Sequence, residues 1–282
     1  MSKKEKEDKN TFMNLMTDFA FKHMFGSVSR KHILIQFLNI MFEKEGLHVY
    51  DVTYHDKEVL PKNIFGKVIK YDVYCTSPKN KEHFIVEMQR VHHPGFENRA
   101  ILYAIRAAGN QLKKGQKYEL KPVYTIFLVN FHMPNLKPKD LHDVRLMDVD
   151  SHEIFSDVLR LMFVTLPDAK KTWEECKTRK DKIIYLIKNL HLMDKESAAY
   201  KSGEFEDLFN EAELENMVAE DVVAYSESKL RLEDELAALD YNYEKGKTDE
   251  KYEIARNMKQ NGAPLGDIML YTGLSEKQIS EL

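Results

Sequence analysis

Asp72 and Glu87 are the residues whose types and spacing point most directly to chemistry. Asp72 lies in the strand-like run from Val68 to Cys75, and Glu87 in the run from His83 to Gln89. Their midpoint falls between Lys79 and Asn80, inside the polar stretch Thr76-Ser77-Pro78-Lys79-Asn80. A hairpin turning there sets the two carboxylates nearly level on neighbouring antiparallel strands. Alternation along the second strand adds Gln89 to the face of Ile85 and Glu87, and turns Phe84, Val86 and Met88 to the other. Two carboxylates and an amide on one face are oxygen donors suited to a hard divalent cation.

An acidic pair on strands is commonly no more than a solvated outward face, and Lys70, on the face of Asp72, could balance the charge without catalysis. The setting of Glu87 argues otherwise. It stands in Phe84-Ile85-Val86-Glu87-Met88, a run apolar enough for a central strand. A buried unpaired carboxylate there is costly and calls for an ion or a cationic partner.

Several elements must position this pair. From Phe12 to about Glu45, apolar residues recur at helical spacing with an interruption near Gly26-Ser27, which predicts two helices and a turn. Val49 to Leu60 reads as a strand, Pro61 to Gly66 as a turn, and Lys67 to Gln89 as the hairpin. After His92-His93-Pro94-Gly95, a long helix is expected from about Phe96 to Lys114, with Ile101, Ile105, Ala108 and Leu112 facing inward. Val123 to Val129 is a continuous apolar strand fit for the middle of a sheet. Asp143 to Val149 reads as a further extended segment or equally as loop, Asp157 to Leu166 as extended, and Ala169 to about Leu192 as helical. This order points to an α/β fold with a mixed sheet.

The chain of 282 residues carries a net charge of −4, which gives no global pull toward nucleic acid. That sum hides a division: residues 194–246 hold sixteen acids and five bases, leaving the remainder at +7. Binding follows the local surface. The segment from Arg99 to Lys121 is basic, with Arg99, Arg106, Lys113, Lys114, Lys117 and Lys121 against Glu119. On a continuous helix, Arg99, Arg106, Lys113 and Lys117 would form one cationic row for phosphate contacts. A solvated face is the plainer reading of such a run.

Two cysteines, Cys75 and Cys176, lack metal-ligand spacing, and no apolar run approaches a membrane span. A cytoplasmic protein away from membranes is expected. His92-His93, His152-Glu153 and the pair Asp148 and Asp150 fall in turns without zinc or calcium spacing. No Gly-rich phosphate loop or nucleophile elbow is present, which argues against a P-loop ATPase or a serine hydrolase.

The run Asp18-Phe19-Ala20-Phe21-Lys22-His23-Met24-Phe25-Gly26 resembles the opening of the transposase-associated branch of the PD-(D/E)XK nuclease superfamily, also called recombination-promoting nucleases. Asp72 stands where that family has its metal-binding aspartate, and Glu87-Met88-Gln89 resembles its Glu-X-Gln element. Arg99 and Tyr103 match the helix that follows; Gln111, Gly115 and Tyr118 match its end, and Pro122-Val123-Tyr124 the next strand. Leu166-Pro167 and Trp173 resemble a later element. Ala255, Gly262, Ile268, Thr272-Gly273-Leu274-Ser275 and Ile279 resemble the tail often seen in this group.

The resemblance implies a restriction-endonuclease-like core over residues 11–167, with a central mixed sheet flanked by helices. A helical extension over 168–246 and a small helical tail over 247–282 follow; the tail permits a helix-turn-helix reading or an oligomerisation module. It also implies a DNA endonuclease linked to recombination or mobile elements, with Asp72 and Glu87 ligating Mg²⁺ or Mn²⁺. Gln89 would hold the attacking water. Asp18 is a candidate third ligand or orienter, with a helix N-cap as its alternative role. Many superfamily members carry lysine where this chain has Gln89, and an amide orients water but accepts no proton. The rival reading is a DNA-binding or assembly protein that keeps the fold with little activity.

Overall fold

The computed structural model describes residues 10–56, 58–59, 69–112 and 115–282. The chain divides into two compact units, Met1–Tyr225 and Ser226–Leu282. In the first unit, α1 (Asp18–Phe25) and α2 (Lys31–Met41) precede β1 (Thr53–Tyr54), β2 (Glu58–Val59), β3 (Ile69–Lys70), β4 (Val73–Thr76) and β5 (His83–Gln89). Helix α3 (Phe96–Gly109) leads to β6 (Val123–Val129), β7 (Leu141–Met147) and β8 (Ile154–Thr165). Then come α4 (Arg179–Asn189), α5 (Ala198–Lys201), α6 (Glu206–Ala212) and α7 (Ala219–Gln260), within which the unit boundary falls.

Six strands form one sheet in the order β1-β4-β5-β6-β8-β7. β5, β6 and β8 run parallel at its centre, and the outer pairings β1 with β4, β4 with β5, and β7 with β8 are antiparallel. The continuous apolar sequence of β6 is what a strand covered on both faces requires. On one face, Phe84 and Tyr124 are register partners with stacked rings 5.4 Å apart, and Phe42 packs on Tyr124 at 4.7 Å. On the other, Phe127 stacks on its partner Phe163 at 5.3 Å beneath α3. Burying a phenylalanine of this kind contributes about 2–3 kcal/mol.

The inner stripe of α3 differs from the expected one. Ile101 and Ile105 are 48% and 50% exposed, and the buried residues are Phe96, Ala100, Ala104, Ala107 and Ala108. Alanines let the helix backbone approach the sheet closely, against Phe127 and Phe163 at one end and Ile69, Tyr71 and Ile85 at the other. The helix also ends at Gly109, earlier than expected. Beyond it, the Gln111 side-chain NH₂ donates to the Lys121 carbonyl at 3.0 Å and its oxygen accepts the Lys121 N–H at 2.7 Å.

Other differences are local. Thr17 caps α1, accepting the Ala20 N–H at 3.2 Å, so Asp18 is the first helical residue and not the cap. Phe12, Leu15 and Met16 are buried but lie ahead of that helix. The expected helix from Ala169 begins only at Arg179, behind a capping box of Thr178 and Asp181. The expected strand over Val49–Leu60 is reduced to the short β1 and β2, and Leu60 and the Pro61–Gly66 turn lie outside the described residues.

In the second unit, α8 (Leu265–Thr272) and α9 (Glu276–Ser280) follow α7. Ala255, Ile268, Leu274 and Ile279 form its core, and Gly262 and Gly273 turn the chain at φ of 75° and 69°. No helix among the described residues is long and apolar enough to cross a membrane.

Candidate active site

The β4–β5 hairpin has the register that its sequence dictates. Val73 faces Val86, and Thr76 faces His83. One step beyond the last pair, the Asp72 N–H donates to Glu87 Oε1 at 2.9 Å, and the Met88 N–H donates to Asp72 Oδ2 at 3.1 Å. Each carboxylate is thus fixed by a backbone N–H from the opposite side of the hairpin.

Glu87 is buried at 2% exposure, while Asp72 is half-buried at the mouth of the pair. Burial, and then the nearby charge of Asp72, hold the Glu87 carboxyl well above the usual carboxylate range. The Asp72 N–H, Arg99 and Lys22 pull in the opposite direction. Such a carboxyl ionises readily only when more positive charge arrives.

Gln89, the last residue of β5, lies on the same face. Its side-chain oxygen accepts a hydrogen bond from Arg99 of α3, whose guanidinium also lies over the Phe96 ring at 5.7 Å. Tyr71 is buried, donates to the Tyr103 carbonyl at 3.2 Å and meets the Tyr103 ring edge-on at 5.3 Å. Burial raises both tyrosine hydroxyls, with Glu87 adding to the effect, so neither ionises near neutral pH.

Asp18 is the first residue of α1. Its side chain is 55% exposed and forms an ion pair with Lys22 at 2.6 Å. Among the described residues, no group of three or more His, Cys, Asp or Glu side chains is placed to hold a metal ion. The link of Asp18 to the hairpin carboxylates is through Lys22, whose charge reaches Glu87. The i, i+4 spacing of Asp18 and Lys22 is the sequence signal for this pair.

The expected cationic row is not a helical row. Arg99 and Arg106 lie on α3, Lys117 is exposed in the loop beyond it, and Lys113 and Lys114 lie outside the described residues. Lys70 is exposed on β3. His92 stands 3.6 Å from Glu97, and Asp148 Oδ1 accepts the N–H groups of Asp150 and Ser151 in a turn of its own.

The donor set fits a hard divalent cation, because both side chains offer oxygen and an arriving positive charge would favour the ionised form of buried Glu87. Cations of this kind commonly use one or two carboxylates and complete their shell with water and phosphate. No curated protein and no solved structure matches the chain. The family model of the PD-(D/E)XK nuclease family transposases matches residues 15–242, a span holding the sheet, the hairpin carboxylates, Gln89 and α3. The chain belongs to the PD-(D/E)XK nuclease family transposases.

Proposed function

We propose that the protein is a metal-dependent endodeoxyribonuclease that hydrolyses phosphodiester bonds, with Asp72 and Glu87 holding Mg²⁺ or Mn²⁺. The reciprocal support of those two carboxylates across the β4–β5 hairpin carries this reading. When bound, the cation would acidify water and neutralise charge developing at phosphorus. The chain's own residues contribute orientation and shielding. Two backbone N–H groups keep the carboxylates from turning away, and α3 closes one side of the sheet over Glu87 and Gln89.

Gln89 supplies hydrogen bonding beside Glu87 and takes up no proton. Arg106 and Lys117 offer charge for sequence-independent contacts with the DNA backbone. Membership in a transposase family supports a role in recombination or mobile-element movement. Self-association through the helical C-terminal region belongs to the same proposal, and light scattering measures it.

A second reading, a DNA-binding or assembly protein with little activity, draws support from the lack of a three-acid group among the described residues. Incubating supercoiled plasmid with the full chain separates the two. Nicked or linear product with Mg²⁺ or Mn²⁺, and none with EDTA, supports the nuclease. Binding with no cation-dependent product supports the second reading.

A further inference from the structure

We propose that Arg99 is a positioning residue of this site: it holds the side-chain oxygen of Gln89, so that the amide NH₂ is the end offered to substrate and Gln89 meets a phosphodiester as a hydrogen-bond donor. This rests on the nuclease reading above. A guanidinium carries five N–H donors and no acceptor, so the amide atom it touches must be the oxygen. The reverse amide orientation would set donor against donor. Arg99 is itself half-buried, one turn into a helix anchored by buried Phe96, and its guanidinium lies over the Phe96 ring.

The consequences are chemical. A cation on the amide oxygen draws electron density from the nitrogen and strengthens its N–H groups as donors. Their natural partners are anionic oxygens, such as the non-bridging oxygens of a phosphodiester. The same geometry accounts for glutamine at this place: a lysine at position 89 would set its ammonium against the Arg99 guanidinium. Residues 89 and 99 therefore act as one unit. Arg99 is thereby withdrawn from the set of simple DNA-backbone contacts.

Steady-state plasmid cleavage by the full chain, comparing wild type with Gln89→Ala, Arg99→Ala and the double variant, tests the inference. Each single change should lower kcat by about tenfold or more with KM changed less than about threefold, and the double should lose no more than the worse single. Gln89→Lys should be weak alone and should recover severalfold when combined with Arg99→Met. Multiplicative losses, or a raised KM with kcat unchanged in Arg99→Ala, would overturn the proposal.

A second readout needs neither DNA nor activity. In ¹⁵N-labelled full chain, the Gln89 side-chain amide resonances should move toward those of an exposed glutamine in Arg99→Ala. Unchanged resonances would overturn the pairing. A wild-type chain that does not cleave would overturn the nuclease reading and the substrate role with it, while the amide resonances would still decide whether Arg99 holds Gln89.

Discussion

Asp72 and Glu87 hold each other's level across the hairpin: the Asp72 N–H binds the Glu87 carboxylate at 2.9 Å, and the N–H after Glu87 binds the Asp72 carboxylate at 3.1 Å. Neither side chain can swing away without giving up a backbone hydrogen bond. The arrangement is held before any cation arrives, which is what a catalytic metal site requires of its ligands.

Glu87→Gln should stabilise the metal-free protein at neutral pH. Burial holds the Glu87 carboxyl above the ordinary 4.5, so above that pH the unfolded chain releases a proton that the folded chain keeps, and stability falls as pH rises. Removing the carboxyl removes this slope. Thermal melts in EDTA should show a gain at pH 8 that disappears below pH 4.5.

His83 should shape stability on the acid side. Burial, and then His55, lower its pKa from 6.5 to about 4, and its Nδ1 lies 2.7 Å from the Tyr74 hydroxyl. The unfolded chain takes up a proton near 6.5 while the folded chain resists until about 4, so stability is full above 6.5 and is lost as pH falls through that window. His83→Gln should flatten denaturant midpoints across it, by about 1–2 kcal/mol after allowance for solvent screening.

How far the site could be read from the sequence is clearest at the hairpin. Its register follows from the distance between two acids and the polarity of the turn, because strand pairing is an arithmetic relation. Helix α3 was harder. Ile101 and Ile105 satisfy an apolar period, yet the sheet selects alanines, since the closeness of helix to sheet is a property of the assembled layers and not of the helix. Just past the end of α3 at Gly109, Gln111 bonds Lys121, ten residues on, a contact that no local pattern reveals. The contact between Gln89 and Arg99 was hidden for the same reason: it joins a strand end to a helix, and each residue had a plausible separate role.

The packing of α3 can be measured directly. Ala104→Leu should force the helix away from Phe127 and Phe163 and cost about 1–3 kcal/mol by chemical denaturation. Ile105→Ala, at a half-exposed position, should cost much less.

DNA affinity should separate the basic residues. Lys117→Ala should lower the slope of log affinity against log salt by about 1 and leave kcat unchanged. Arg99→Ala should leave that slope as it is, because its guanidinium is committed to Gln89.

The most direct measurement is the rate of supercoiled plasmid cleavage in Mg²⁺ or Mn²⁺ by wild type, Asp72→Ala and Glu87→Ala, with folding of each verified by circular dichroism. Wild type should nick or linearise the plasmid, and each variant should fall by about a hundredfold or more, as expected on removing a metal ligand. Equal cleavage by all three folded proteins would contradict the assignment of catalysis to Asp72 and Glu87.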